Sequence, residues 1–308
     1  MYADRKSQQE DKGFEEDLVE HITGRRRCLM KRISIQLDDG AALSALTVGE
    51  GRPLIMIPGW SQTSAEWAGT VESLSAIRSV IALDMRGHGE SEKPEYGYRV
   101  SRLAQDLHET ISKLELSKVD LMGHSMGCAV IWAYIDLYGQ DHIEQLVLVD
   151  QAPCMFPRAE WSSEERSEFG CFYGSSADVD ELAAGALACV DLDSTVEFVR
   201  GFFTSDFPEQ SLPFIAEENF KFPRHLAAQL LRDAAFGDWR DVIQRIRCRT
   251  LVVGGEASIF TSASQRWIAS QIPNGEVEIF PENEGGSHFM FVENQDRFNS
   301  RVLSFLES

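Results

Sequence analysis

The first apolar positions of the chain alternate with polar ones. Ile33, Ile35 and Leu37 would share one face of an extended segment, which predicts a half-buried strand. A turn signal at residues 38–40 and apolar residues at 43–48 predict a second strand that pairs with the first as a hairpin. The predicted sheet therefore begins with an antiparallel pair.

Six short, continuous apolar runs follow, and runs of this kind are typical of parallel strands that are covered on both faces. They lie at residues 54–57, 80–83, 119–122, 146–149, 251–253 and 277–280. Helical stretches are predicted between them, for example at 100–116, 126–138 and 262–271. This alternation predicts an α/β fold, a doubly wound sandwich around a mostly parallel, eight-stranded sheet.

The alternation stops between Gln151 and about Arg240. This stretch has no clear strand, and it holds 14 of the 30 aromatic residues in less than a third of the length. We interpret it as a helical cap whose aromatic residues form a small core and line a hydrophobic pocket. The predicted organisation is an N-terminal tail at 1–28, an α/β core at 29–152 and 241–308, and a helical cap at 153–240.

Composition narrows the possible partners. The net charge of −20 argues against nucleic acid, which binds through clustered Lys and Arg. No apolar run approaches the roughly 20 residues of a membrane span, and residues 1–20 lack the apolar region of a secretory signal. Six Cys without CxxC spacing favour reduced thiols and a cytoplasmic location. No metal or cofactor is expected, and a homo-oligomer stays open.

The strongest motif is Gly123-His124-Ser125-Met126-Gly127, which follows a predicted strand and begins a predicted helix. In this G-x-S-x-G pattern a sharp turn lifts the hydroxyl of Ser125 above the sheet. The small glycines let the strand and the helix approach closely. The free N–H of Met126 at the helix start can help to hold an oxyanion. Ser125 is therefore the candidate nucleophile.

The chain resembles the α/β-hydrolase superfamily from about Lys31 to Leu306. Two further segments carry the resemblance: Ile57-Pro58-Gly59-Trp60 after the third predicted strand, and residues 84–91, Asp-Met-Arg-Gly-His-Gly-Glu-Ser, after the fourth. Pro58 occupies a position where the family usually has His. The resemblance implies that Trp60 supplies the second oxyanion N–H, beside Met126, and that His88 is structural.

A serine hydroxyl needs an adjacent base to act as a nucleophile. The resemblance implies that the base is a His on the loop after the last strand, where this chain has Gly285-Gly286-Ser287-His288-Phe289. We therefore expect His288 to be the base. His124 adjoins the nucleophile in sequence, and we expect it to point away from the base position.

The acid of the triad departs from the commonest family pattern. That pattern has Asp shortly after the seventh strand, where this chain has Ser258, and Ser cannot stabilise an imidazolium as a carboxylate does. The recognised alternative is the end of the sixth strand, where this chain has Asp150. We expect Asp150 to be the acid, with Glu256 as the alternative; Glu282, Glu284 or no acid at all remain open.

The expected reaction is hydrolysis of a small hydrophobic ester or lactone, an aromatic ester or a macrolactone included. A rival is a cofactor-independent dioxygenase of N-heteroaromatic rings, which shares residues 58–60 and Asp150 but has His where this chain has Met126 and within residues 61–63. A C–C bond hydrolase and a hormone-receptor-like protein also remain open. Haloalkane dehalogenases and epoxide hydrolases are set aside because they need Asp at the position of Ser125.

Overall fold

The computed structural model describes residues 17–21 and 28–308, with side chains from residue 30 onward. Most of the predicted tail at 1–28 therefore lies outside the described residues. Within the described part of the chain, no helix has the length and apolar character needed to cross a bilayer.

A mixed sheet forms the centre of the protein. In the described residues it has nine strands in the order β1-β2-β3-β5-β4-β6-β7-β8-β9. They are β1 (Asp17–His21), β2 (Cys28–Gln36), β3 (Ala42–Val48), β4 (Pro53–Ile57), β5 (Ser79–Asp84), β6 (Val119–His124), β7 (Ile143–Val149), β8 (Arg249–Gly255) and β9 (Gly275–Phe280). Strands β4 to β9 run parallel, and β1, β2 and β3 pair antiparallel. The eight predicted strands are confirmed as β2 to β9.

Strand β1 is an addition to the predicted sheet. It pairs with β2 at the sheet edge, with Asp17 opposite Arg32 and His21 opposite Cys28. The sequence predicts a tail here because these residues show no apolar alternation. Backbone pairing with the long strand β2 places them in the sheet instead.

Helices cover both faces of the sheet. They are α1 (Ala68–Leu74), α2 (Val100–Lys113), α3 (Met126–Tyr138), α4 (Ser163–Glu168), α5 (Ser176–Ala188), α6 (Leu192–Arg200), α7 (Leu212–Phe220), α8 (Arg224–Ala234), α9 (Arg240–Ile243), α10 (Ser262–Gln271), α11 (Met290–Glu293) and α12 (Gln295–Glu307). Successive residues of a strand point to opposite faces. Leu54 and Met56 of β4 accordingly join the core beside α12, whereas Ile55 and Ile57 join the core beside α2 and α3.

Residues 153–240, here called the helical segment, leave the sheet after β7 and return before β8. They contain α4 to α8 and an isolated bridge between Cys154 and Asp238, where the two ends of the segment meet. Several long-range hydrogen bonds attach the segment to the core, and those of Trp60 and Glu293 are examples. The indole N–H of Trp60 donates to the carbonyl of Ala227 (2.8 Å), and Glu293 accepts from the N–H (2.8 Å) and the hydroxyl (2.6 Å) of Thr204.

Candidate active site

Ser125 lies at the sharp turn between β6 and α3. Its backbone has φ 51° and ψ −124°, a left-handed conformation that side chains rarely adopt. Its N–H donates to the carbonyl of Val149 (2.8 Å). The turn depends on glycine, because a Cβ on Gly127 would lie 2.2 Å from the carbonyl oxygen of Ile57 and a Cβ on Gly123 would lie 2.7 Å from the backbone of α3. The predicted strand–turn–helix connection is therefore present.

Asp150 and His288 form a buried pair. Nδ1 of His288 lies 2.6 Å from Oδ2 of Asp150. His288 is 4% exposed and Asp150 is 0% exposed. Asp150 follows β7, and its N–H donates to the carbonyl of Val253 in β8 (2.8 Å). His288 reaches it from the loop after β9. The structure thus brings the expected base and the expected acid into direct contact.

Ser258 contacts the same carboxylate oxygen. Its hydroxyl donates to Oδ2 of Asp150 and accepts the N–H of Phe260 (3.1 Å). From the sequence, Ser258 was identified only as the residue that stands where the family usually has the acid, and its contact with Asp150 was not predicted. The signal was its position after β8, the strand adjacent to β7, because neighbouring parallel strands end at the same sheet edge.

Burial governs the charge of this pair. Desolvation raises the pKa of Asp150 well above 3.8, and the hydrogen bonds from Ser258 and from the Gly255 backbone oppose that shift. Desolvation lowers the pKa of His288 to about 3. The imidazole is therefore neutral at neutral pH, which is the form that can accept a proton.

The other candidate acids lie elsewhere. Glu256 is exposed, and its Oε2 accepts the backbone N–H of Glu282 (3.4 Å). Glu284 pairs with Arg297. Among these carboxylates of the described chain, none contacts His288, so the geometry favours Asp150.

A turn after β4, residues 58–62, lies beside Ser125 and is here called the oxyanion turn. Its Gln62 N–H donates to the carbonyl of Gly59 (3.3 Å), and Ser61 has φ 58°. Within the described residues, the backbone N–H groups of Trp60 and Met126 have no hydrogen-bond partner, and both residues line the cavity that Ser125 faces. Free donors at these positions are what an oxyanion hole requires.

His124 is fully buried beneath the turn. Its Nδ1 lies 2.8 Å from Oε1 of Gln62, and its Nε2 lies 2.8 Å from the carbonyl oxygen of His288. As expected, the ring is not in the base position. The contact with Gln62 was not predicted, since nothing in the sequence links two residues 62 positions apart.

Backbone strain concentrates at this site. In the described chain, four residues other than glycine have positive φ: Ser61, Glu115, Ser125 and Asp150. Three of them lie at this site: Ser61 in the oxyanion turn, Ser125, and Asp150. Strained backbone of this kind is found mainly where function requires it.

The cavity above Ser125 holds about 740 Å³ of empty space, part of it open to solvent, and its lining is mainly apolar. Its walls come from the sheet edge and from the helical segment. The aromatic lining residues are Trp60, Phe172, Tyr173, Phe198, Phe202, Phe260, His288 and Phe289, and the polar ones include Gln62, Gln151 and Asn219. Ser125 and His288 both line this cavity, and no hydrogen bond joins their side chains in the described structure.

Across residues 17–21 and 28–308, no group of three or more His, Cys, Asp or Glu side chains is arranged to hold a metal ion. The cysteines described with side chains, Cys128, Cys154, Cys171, Cys189 and Cys248, are all free thiols.

Comparison with known proteins agrees with this architecture. The chain is 26% identical over 272 residues to a putative non-heme chloroperoxidase of Synechocystis sp., covering 84% of this chain and 93% of that protein. An esterase structure from Exiguobacterium antarcticum superposes with a TM-score of 0.79 at 25% identity, covering 89% of this chain and 99% of the other. An enol-lactonase structure from Burkholderia xenovorans, at 22% identity, shares the fold with a TM-score of 0.75 over 89% of this chain and 100% of its own.

A family model described as alpha/beta hydrolase fold matches residues 52–295. This range includes Ser125, Asp150, His288 and the whole helical segment. The expected resemblance is therefore confirmed, and the chain belongs to the α/β-hydrolase fold family.

Proposed function

We propose that the protein is a serine hydrolase that cleaves a carboxylic ester or lactone of a hydrophobic substrate. The observation that carries the proposal is the buried contact of 2.6 Å between His288 and Asp150 at a cavity that Ser125 also lines. A nucleophile, a base and a group that orients the base are the parts that acyl transfer needs. The esterase and the enol-lactonase among the similar structures support the same reaction class.

In the first half of the reaction, Nε2 of His288 accepts the proton of Ser125 while Oγ attacks the substrate carbonyl. The negative charge on the carbonyl oxygen is held by the N–H groups of Trp60 and Met126. Asp150 keeps hydrogen on Nδ1 of His288 and stabilises the imidazolium that forms. His288 then protonates the leaving alcohol, and the acyl group remains on Ser125.

In the second half, water takes the place of the alcohol. Nε2 of His288 accepts a proton from that water, whose oxygen attacks the acyl carbon. The intermediate collapses as His288 returns the proton to Oγ of Ser125. A carboxylic acid leaves; for a lactone the acid and the alcohol are parts of one product.

The cavity lining supports a hydrophobic substrate. Phe202 and Phe289 pack against the ring of His288, and Phe198 lines the same cavity. These rings leave few polar partners for a charged acyl chain. The net charge of −20 also disfavours polyanionic substrates. An ester or lactone with an apolar or aromatic acyl part fits these features.

The test is to label the pure protein with a small fluorophosphonate, to locate the adduct by mass spectrometry, and to measure hydrolysis of p-nitrophenyl esters and of a lactone series. We expect a single adduct on Ser125 and its loss in Ser125→Ala. Ser270→Ala, at an exposed position of helix α10, is the matched control and should label like the wild type.

A folded protein that neither labels nor hydrolyses any ester or lactone would refute the proposal. Oxygen uptake with N-heteroaromatic substrates, retained in Ser125→Ala but lost in a His288→Ala variant, would replace it with the dioxygenase.

A further inference from the structure

His124 connects the two loops that would act on the substrate. We propose that it is a positioning residue for ester hydrolysis, which holds the oxyanion turn and the loop of His288 in register; this inference rests on the proposed function. Its ring lies between Gln62 Oε1 and the carbonyl oxygen of His288, 2.8 Å from each. In the described structure, no other side chain has hydrogen-bond contacts with both loops.

On one side, the ring fixes the oxyanion turn through Gln62. Oε1 of Gln62 also accepts the N–H of Gly59 at 2.7 Å. That second bond determines which end of the amide is the oxygen, because an amide NH₂ would face a donor. The chain of contacts from His124 through Gln62 to Gly59 therefore sets the Pro58–Gly59 peptide, which precedes the peptide that carries the N–H of Trp60, the proposed oxyanion donor.

On the other side, the ring contacts the backbone of the base itself. Nε2 of His124 lies 2.8 Å from the carbonyl oxygen of His288, while the side chain of His288 is bound to Asp150. The rings of His124 and His288 pack with centroids 4.5 Å apart. A shift of His124 would thus displace His288 as well as the oxyanion turn.

The surroundings hold the ring in one place. His124 is 0% exposed, and Trp67 and Phe291 pack edge-on against it, with centroids 6.0 and 4.9 Å away. Burial lowers the pKa of His124 well below 6.5, and the nearby His288 adds to that shift. Both of its contacts are acceptor oxygens, so a neutral ring, with one N–H, donates to only one of them at a time. Substitutions of His124 can therefore test which of the two hydrogen bonds, to Gln62 or to the carbonyl of His288, is needed.

Three variants separate ring packing from hydrogen bonding. His124→Phe keeps an aromatic ring and removes both nitrogens. The amide nitrogen of His124→Asn falls near the position of Nδ1 and can donate to Gln62, whereas that of His124→Gln falls near Nε2 and can donate to the carbonyl of His288. His108→Phe on α2, whose ring stacks on Tyr138 away from the cavity, is the matched control.

We expect His124→Phe to lower kcat for a p-nitrophenyl ester by tenfold to a hundredfold, with KM changed less than about twofold, because small misplacements of reacting groups act on kcat. His124→Asn or His124→Gln should recover part of the loss. Backbone hydrogen exchange should speed up at residues 59–62 and 285–289 in His124→Phe and not in His108→Phe.

Two results would overturn the proposal. One is a folded His124→Phe with wild-type kcat and wild-type exchange in both loops. The other is a loss that neither amide variant recovers, since ring packing alone would then explain it. Exchange is measured without turnover, so an inactive wild type would refute the proposed function while the exchange result still decides whether His124 holds the loops.

Discussion

Replacement of Asp150 by Asn is the sharpest test of the site, because it changes a charge and almost nothing else. Asp150 is fully buried, and Oδ2 accepts hydrogen bonds from both His288 and Ser258. Asn has the same shape and retains one acceptor oxygen. The variant therefore removes the negative charge that would stabilise the imidazolium of His288.

The size of the effect follows from the contact distance. Nδ1 and Oδ2 are 2.6 Å apart, which places the charge centres of an imidazolium and a carboxylate at about 4 Å. At an effective dielectric constant of about 20, two unit charges at that distance attract by about 4 kcal/mol. Each 1.36 kcal/mol changes a rate tenfold, so kcat should fall roughly 10³-fold.

Ser258 decides how the new amide is oriented. Because Phe260 donates its N–H to the Ser258 oxygen, the Ser258 hydroxyl hydrogen is free to point at residue 150. It needs an acceptor there, so the amide oxygen of Asn should take the place of Oδ2 and keep hydrogen on Nδ1 of His288. The double variant Asp150→Asn with Ser258→Ala removes this control, and its kcat should fall further, to about 10⁴-fold below the wild type, as expected for a mis-set tautomer.

The assay is steady-state hydrolysis of a p-nitrophenyl ester, with fluorophosphonate labelling of Ser125 as a second rate. Glu256→Gln, at the exposed alternative acid, is the control and should keep at least half of the wild-type kcat. If Asp150→Asn stays within tenfold of the wild type, or if Glu256→Gln loses as much as Asp150→Asn, the assignment of the acid is wrong.

Three further outcomes follow from the structure. Gly127→Ala would place a Cβ 2.2 Å from the Ile57 carbonyl oxygen and should cost about 3 kcal/mol or more of unfolding free energy, measured with urea; Gly201→Ala, which meets nothing closer than 3.9 Å, should cost nearly nothing. Phe202→Ala removes a ring that lines the cavity beside the base, so kcat/KM for a p-nitrophenyl octanoate over a butyrate should rise about tenfold, and an unchanged ratio would show that the acyl chain lies elsewhere. Burial lowers the pKa of His88 from 6.5 to about 3. Between these pH values only the unfolded chain binds a proton at His88. The contribution of His88 to the unfolding free energy is therefore complete above pH 6.5 and falls by about 1.4 kcal/mol per pH unit below it. The unfolding free energy should therefore drop less between pH 7 and pH 5 in His88→Phe than in the wild type, and equal drops would contradict the assignment.

The sequence was sufficient where the signal is local. The helices predicted at 126–138 and 262–271 have the bounds of α3 and α10. The helix predicted at 100–116 ends at Lys113, because Glu115 takes a left-handed backbone conformation. A glycine at this position would have predicted that conformation, but the chain has Glu.

The site was predictable only in part, for a physical reason. Ser125 and His288 lie in short motifs that predict a turn and a loop. The choice between Asp150 and Glu256 depended on which carboxylate reaches His288, and this is set by pairing between strands 100 residues apart in sequence. Contacts such as Ser258 with Asp150 have no local pattern at all.

The shared oxygen of Asp150 has a consequence for descent within the family. Ser258 follows β8 and Asp150 follows β7, and adjacent strands lie about 4.8 Å apart; Ser258 touches the same carboxylate oxygen as the His288 ring. A lineage that acquired Asp at position 258 while keeping Asp150 would hold two acids within reach of one base, one of them neutral. Either could then be lost. The acid can in this way move from one strand to the next with every ancestor along the route still carrying a carboxylate against its histidine.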